Sequence, residues 1–175
     1  MGEPQNGAPA QASEAAQVGT SSHSAVERRL DELGRTLPPV PAPVAAYVPA
    51  VISGNHVFTS GQLPTVAGKL TASGKVGAEV SAEDAKECAA LCAVNALAAV
   101  KSVIGDLDRI TRVVKVVGFV SSDPAFTAQP AVINGASELL GQALGDAGVH
   151  ARSAVGVSVL PLDAPVEVEL IVEFQ

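Results

Sequence analysis

Residues 151–174 read ARSAVGVSVLPLDAPVEVELIVEF, and two strands are legible in them. From Ser153 to Leu160, Val155, Val157 and Val159 face one way while Ala154, Gly156 and Ser158 face the other. From Val166 to Phe174, Val166, Val168, Leu170, Val172 and Phe174 form one face, and Glu167, Glu169, Ile171 and Glu173 the second; a period of two is the mark of a strand. Pro161-Leu-Asp-Ala-Pro165 joins the pair. Before it, Pro130–Leu144 reads as a helix, and Ile110–Val120 (ITRVVKVVGFV) as a central strand covered on both faces, because it is nearly continuous β-branched sequence. Ser81-Ala-Glu-Asp84 has the form of a helix N-cap, and a long helix runs on to about Ile104 with Leu91, Val94, Leu97, Val100 and Ile104 near one face. Gly105 ends it. Earlier still, Tyr47–Ile52 and Val57–Ser60 form a hairpin about Ser53-Gly54-Asn55.

The order ββαβαββ is an α+β fold, one sheet with two helices on one face. Its other face, small residues on one strand and mixed Ile and Glu on the next, is neither core nor solvent in character, and we expect it to be buried in a homo-oligomer. At the N-terminus, residues 1–25 hold Val18 as the only branched aliphatic and are expected to be a disordered tail. The single domain is expected over 26–175, opening with a short extra helix at 26–34 whose Val26, Leu30 and Leu33 make one stripe closed by Gly34. The run TLPPVPAPVAA that follows is forced to be extended by its prolines.

The 175 residues are 47% hydrophobic and 17% charged, the composition of a folded domain. Aromatics are 3% and the net charge is -7, so both stacking platforms and a basic footprint for nucleic acid are missing. A mean hydropathy of +0.32 raises the question of a membrane. The most apolar stretch, Cys88–Val100, is too short to span one, which takes about 20 residues. No signal peptide is legible, with Glu3 where one would carry Lys or Arg, so a cytoplasmic location is the default. Cys88 and Cys92, four apart on a helix, read as small buried apolar residues rather than a metal site.

Residues that could carry chemistry are few: Tyr47, the three histidines His23, His56 and His150, the pair Arg152 and Glu167, and the turn Thr59-Ser-Gly-Gln62. His23 lies in the tail and His56 beside a turn, both surface positions. Ser60 has no base near it in sequence, and no phosphate-binding or nucleophile-elbow motif is present. Arg152, at the start of a strand, can present a planar fork to a carboxylate.

The segment YVPAVISGN at 47–55, the TSGQ loop at 59–62 and ARSAVGVSVLPLDAPVE at 151–167 together resemble the RidA/YjgF family of imine deaminases. That family has a Tyr ahead of a G-N turn and an S-G-Q loop, then A-R-S-x-V-x-V-x-x-L-P-x-x-x-x-V-E. The resemblance covers about residues 40–175. It implies a chorismate-mutase-like mixed sheet with helices on one face, assembled as a homotrimer around a central barrel with sites in the clefts between subunits. It also implies hydrolysis of reactive 2-imino or enamino acids to 2-keto acids and ammonia, with no metal or organic cofactor. Arg152 would clamp the substrate carboxylate and Glu167 would place the water, while Tyr47, Ser60, Gly61 and, more loosely, Asn134 would line the pocket. Ala154 stands where many such deaminases have Cys, Pro49 follows the Tyr, and the segment FTAQPAVINGASELL is long, which suggests a divergent branch.

If the two C-terminal strands pair as a hairpin, Glu167 lies about seven residues along the ladder from Arg152, on the order of 20 Å, so the two would meet on one ligand only across subunits. The rival reading is a non-catalytic trimer that binds a small keto acid or regulates a partner through the same cleft; a second negative charge there favours catalysis. Ribonuclease activity fits poorly with the acidic charge, and chorismate mutase chemistry rests on fold analogy alone.

Overall fold

The computed structural model describes residues 23–40 and 47–175. A five-stranded mixed sheet is built from β1 (Ala50–Ser53), β2 (His56–Thr59), β5 (Ile110–Ser121), β6 (Ala151–Val157) and β7 (Val166–Phe174). Two helices, α2 (Ala82–Ile104) and α3 (Gln129–Leu144), cover one face of it, and a short α1 (Ala25–Glu32) docks beside α3.

The long helix forms where its cap was read. Ser81 Oγ accepts the Asp84 backbone N–H at 3.0 Å, and Gly105, at φ 83°, turns the chain out of the helix. Alanines let α2 lie close to its neighbours; a Cβ on Gly135 of α3 would sit 2.0 Å from the Lys86 carbonyl oxygen. This 23-residue helix is long and apolar enough to cross a membrane, correcting the expectation of too short a stretch. Most of it is buried against the sheet and α3, which accounts for its apolarity.

Against α2 and α3 the sheet packs Val113, Val116, Val120, Val166, Val168, Leu170 and Val172, all buried. Each such side chain contributes about 1.5–3 kcal/mol by leaving water. On the open face Val51, Phe58 and Val155 remain 40–50% exposed.

The strand order is β1-β2-β7-β5-β6, and here the structure overturns one expectation. The two C-terminal strands do not form a hairpin: β5 lies between them, parallel to β6 and antiparallel to β7. Helix α3 supplies the crossover that a parallel pair requires. The linker after β6 is held elsewhere in the chain, since Asp163 accepts the Gly74 N–H through its carbonyl (2.9 Å) and the Ser73 hydroxyl through its carboxylate (2.8 Å). Pro165 accepts the N–H of Ser121 at the end of β5, again at 2.9 Å. Its own turn adds two hydrogen bonds, from Asp163 N–H to the Leu160 carbonyl and from Ala164 N–H to the Pro161 carbonyl, both at 3.1 Å, so the linker is tied to β5, to the loop before α2 and to itself, with no ladder between β6 and β7.

Smaller differences are local. Strand β6 starts two residues before the expected Ser153 and ends at Val157, and β1 begins at Ala50, leaving Tyr47 ahead of it. A two-residue hairpin, β3 (Thr65–Val66) with β4 (Lys69–Leu70), occupies part of a stretch read as loop, turning through Ala67 and Gly68 at positive φ. Of the expected tail, residues 1–22 lie outside the described residues, whereas Ser24 caps α1 and Ala25 begins it. The Asp108 carboxylate takes the N–H groups of Ala25 and Val26 at 2.8 and 2.9 Å.

Candidate functional site

Arg152 is the second residue of β6, directly opposite Val116 of β5. Strand partners share a face, and Val116 is buried under the helices, so the guanidinium runs toward α3. There Nη1 donates to Asn134 Oδ1 at 2.8 Å and to Ser137 Oγ at 3.1 Å, while Nη2 donates to the Pro130 carbonyl at 3.2 Å. Asn134 and Ser137 are three apart on a helix and therefore neighbours on one side of it. Of the five guanidinium N–H groups, Nε–H and one on Nη2 have no acceptor among the described residues. Two adjacent donors on a fixed cation are what a carboxylate takes up.

His150 joins this group. Its Nδ1 lies 2.6 Å from the Gly148 carbonyl oxygen and its Nε2 2.9 Å from Ser137 Oγ. His150 was a bare candidate in the sequence and Ser137 was missed. The available signal was a double periodicity, residues 134 and 137 at helical spacing facing residues 150 and 152 at strand spacing.

Glu167 is built differently. It stands opposite Phe119 on β5, on the face away from the helices. Its carboxylate is half-buried and accepts no hydrogen bond among the described residues; burial, helped by the nearby charge of Glu169, pushes its pKa up. Gly61 lies directly against it, because a Cβ there would fall 1.7 Å from Glu167 Oε1. The backbone fixes this approach: Gln62 N–H and C=O exchange hydrogen bonds with Val168 at 2.9 and 3.0 Å. Ser60 donates from Oγ to the Val48 carbonyl (2.7 Å) and from N to that of Pro49 (2.8 Å), which ties the segment carrying the 68% exposed Tyr47 to the same loop.

Six expected site residues thus fall into two groups, Arg152 with Asn134, and Glu167 with Gly61, Ser60 and the Tyr47 segment. Two strand spacings and three residues of rise put the Cα atoms of Arg152 and Glu167 about 14 Å apart, nearer than the expected 20 Å. Their side chains nonetheless leave opposite faces of the sheet. Two cavities of about 670 and 620 Å³, beside Cys88 and beside Asn95, are lined by none of the six. Both cysteines are free and buried, with burial raising their thiol pKa values. Among the described residues no cluster of three His, Cys, Asp or Glu is placed to hold a metal ion.

Residues 27–174 match the family described as "YjgF/chorismate mutase-like, putative endoribonuclease". Protein TCP17 of Trypanosoma cruzi is 44% identical over 151 residues, which cover 85% of this chain and 93% of that one. A crystal structure of a protein of unknown function from Agrobacterium tumefaciens is 51% identical, with a TM-score of 0.81 over 86% of this chain and 94% of that chain. Escherichia coli TdcF, in a structure with bound serine, is 26% identical with a TM-score of 0.55, covering 78% of this chain and 94% of that chain.

Proposed function

The chain belongs to the YjgF/chorismate mutase-like family, and from that premise we propose that it hydrolyses small 2-imino acids to 2-keto acids and ammonia at a site completed between subunits of a homotrimer. Arg152 receives the substrate carboxylate on its two unused N–H groups. Glu167 accepts a proton from water as the oxygen adds to the imine carbon and passes it to the nitrogen; it then carries the carbinolamine hydroxyl proton to the nitrogen as the C–N bond breaks, the carbonyl forms and ammonia leaves. The imine is already electrophilic, so placement and one proton carrier are enough, and the scheme uses no metal or cofactor. Gly61 leaves room at the carboxylate, Ser60 and Tyr47 border it, and Asn134 holds the clamp.

The observation that carries this reading is the half-buried Glu167 carboxylate, with raised pKa and no neutralising partner among the described residues. A protein that only bound anions would gain nothing from a second negative charge near its ligand. The opposite faces of Arg152 and Glu167 support a site shared between chains, and the half-exposed apolar side chains of the open face support burial of that face in the assembly. Serine bound to TdcF is a small molecule with an α-carboxylate, the class of ligand proposed here. A net charge of -7 argues against RNA as the substrate of this chain.

The test generates 2-iminopropionate with an amino-acid oxidase and traps the surviving imine with semicarbazide. The wild-type chain is expected to lower the trapped imine and Arg152→Ala to leave it at the buffer level, in preparations shown to be trimeric by light scattering. A trimer that leaves the imine untouched yet binds pyruvate would replace the deaminase with a metabolite-binding protein.

A further inference from the structure

We propose that Ser137 and His150 are positioning residues of the substrate clamp, a two-member relay that locks the Arg152 guanidinium in the plane in which it meets a carboxylate. The relay can be followed atom by atom. A carbonyl oxygen only accepts, so the proton between His150 and Gly148 sits on Nδ1. In the neutral imidazole Nε2 then carries a lone pair and takes the Ser137 hydroxyl proton, across 2.9 Å. With its hydrogen committed to the imidazole, Ser137 Oγ presents a lone pair to Arg152 Nη1 at 3.1 Å. Without His150 the hydroxyl proton has no fixed acceptor and can turn to a carbonyl of the preceding helical turn, so Oγ no longer holds its lone pair in one orientation toward the cation.

Each partner has its own support in the backbone. Gly148, which aims its carbonyl at the imidazole, packs so tightly on α3 that a Cβ there would lie 2.4 Å from the Leu140 carbonyl oxygen. His150 immediately precedes β6 and Arg152 is its second residue, and both side chains reach α3, where Asn134 and Ser137 wait one turn apart. Asn134 and the Pro130 carbonyl grip the same guanidinium independently. Without Ser137 the cation is therefore kept but misaimed. Ser137 and His150 do not form a nucleophilic pair: Ser137 lies inside α3, where helical hydrogen bonds occupy the neighbouring N–H groups and leave no oxyanion donors.

The kinetic arm of the test rests on the deaminase reading; a binding arm does not. With 2-iminopropionate, Ser137→Ala and His150→Ala are expected to raise KM about tenfold with kcat within about twofold, the pattern of lost substrate binding. His150→Gln, which returns an acceptor near the position of Nε2, is expected to recover KM to within about threefold. A KM unchanged in both alanine variants, or a kcat falling as far as kcat/KM, overturns the proposal. Pyruvate binding by calorimetry is the second readout, expected to weaken about tenfold in Ser137→Ala and in His150→Ala and to stay within about threefold of wild type in His150→Gln. If wild type binds pyruvate without hydrolysing the imine, the deaminase reading fails and these ratios still decide the relay. A wild type that neither binds nor hydrolyses overturns both. Imidazole ¹⁵N shifts supply a third check, since a His150 found as the Nε2–H tautomer would refute the relay directly.

Discussion

On the helix-covered face of the sheet a cation is surrounded by oxygen atoms; on the open face an anion is left without a donor among the described residues. Arg152 gives three hydrogen bonds to α3, and each element that holds it is built by the local periodicity of one helix and one strand. Glu167 lies against Gly61 and accepts no hydrogen bond among the described residues, and burial with the nearby Glu169 charge pushes its pKa up. The first group is held within the chain and has two donors to spare among the described residues. The second is energetically unfinished, as expected of a group whose partner is a substrate or another subunit. The contrast is one between preorganisation and poise: a clamp must not move, and a proton carrier must not be neutralised.

Separating the two groups onto different chains has the largest expected consequence. Arg152→Ala and Glu167→Gln are each expected to lower imine hydrolysis by about 1,000-fold. Co-refolded at equal concentration, the two inactive variants should regain about a quarter of wild-type activity, because a shared site draws one residue from each of two chains. If the mixture stays inactive while mixed trimers are shown by mass spectrometry, the two residues do not serve a common substrate.

Gly61→Ala addresses the second group alone. The added Cβ displaces a flexible carboxylate rather than backbone, so activity should fall about 100-fold while the melting temperature stays within a few degrees of wild type. An active Gly61→Ala variant would show that Glu167 need not occupy this position.

A smaller effect sharpens the electrostatic side. The folded-state pKa of Glu167 is raised, so its ionised form destabilises the fold, fully above that raised value and not at all below the ordinary carboxylate range. Glu167→Gln should therefore melt a few degrees higher than wild type at pH 7, with the gain shrinking to nothing toward about pH 4. Thermal melts across that range measure it. An equal gain at every pH would mean that packing, not charge, sets the difference.

Much of the fold was legible because its signals are local. The Ser81 cap and the Gly105 stop bound α2, and the alternation of Val166–Val172 with Glu167–Glu173 is the burial pattern of β7. The small hairpin Thr65–Leu70 escaped because two-residue strands carry no period. Ser137 escaped for a related reason: a serine inside a helix shows nothing by itself, and its meaning appears only when His150 and Arg152 arrive from a strand.

The kinds of element and the alternation along β7 could be read from the chain, since they follow from periods of two and 3.6, and Arg152 and Glu167 took their roles from the family resemblance; Ile110–Val120, read as covered on both faces, buries only one of them in the structure. Beyond the β1–β2 hairpin, strand neighbours were settled by the tertiary fold. With β5 placed between β6 and β7, Arg152 and Glu167 are assigned to opposite faces through their partners Val116 and Phe119. Alternation within a strand is fixed by its own backbone. The choice of partner depends on where every competing hydrogen-bonding edge, crossover helix and linker can be satisfied at once, and that balance is written nowhere in a local stretch of chain.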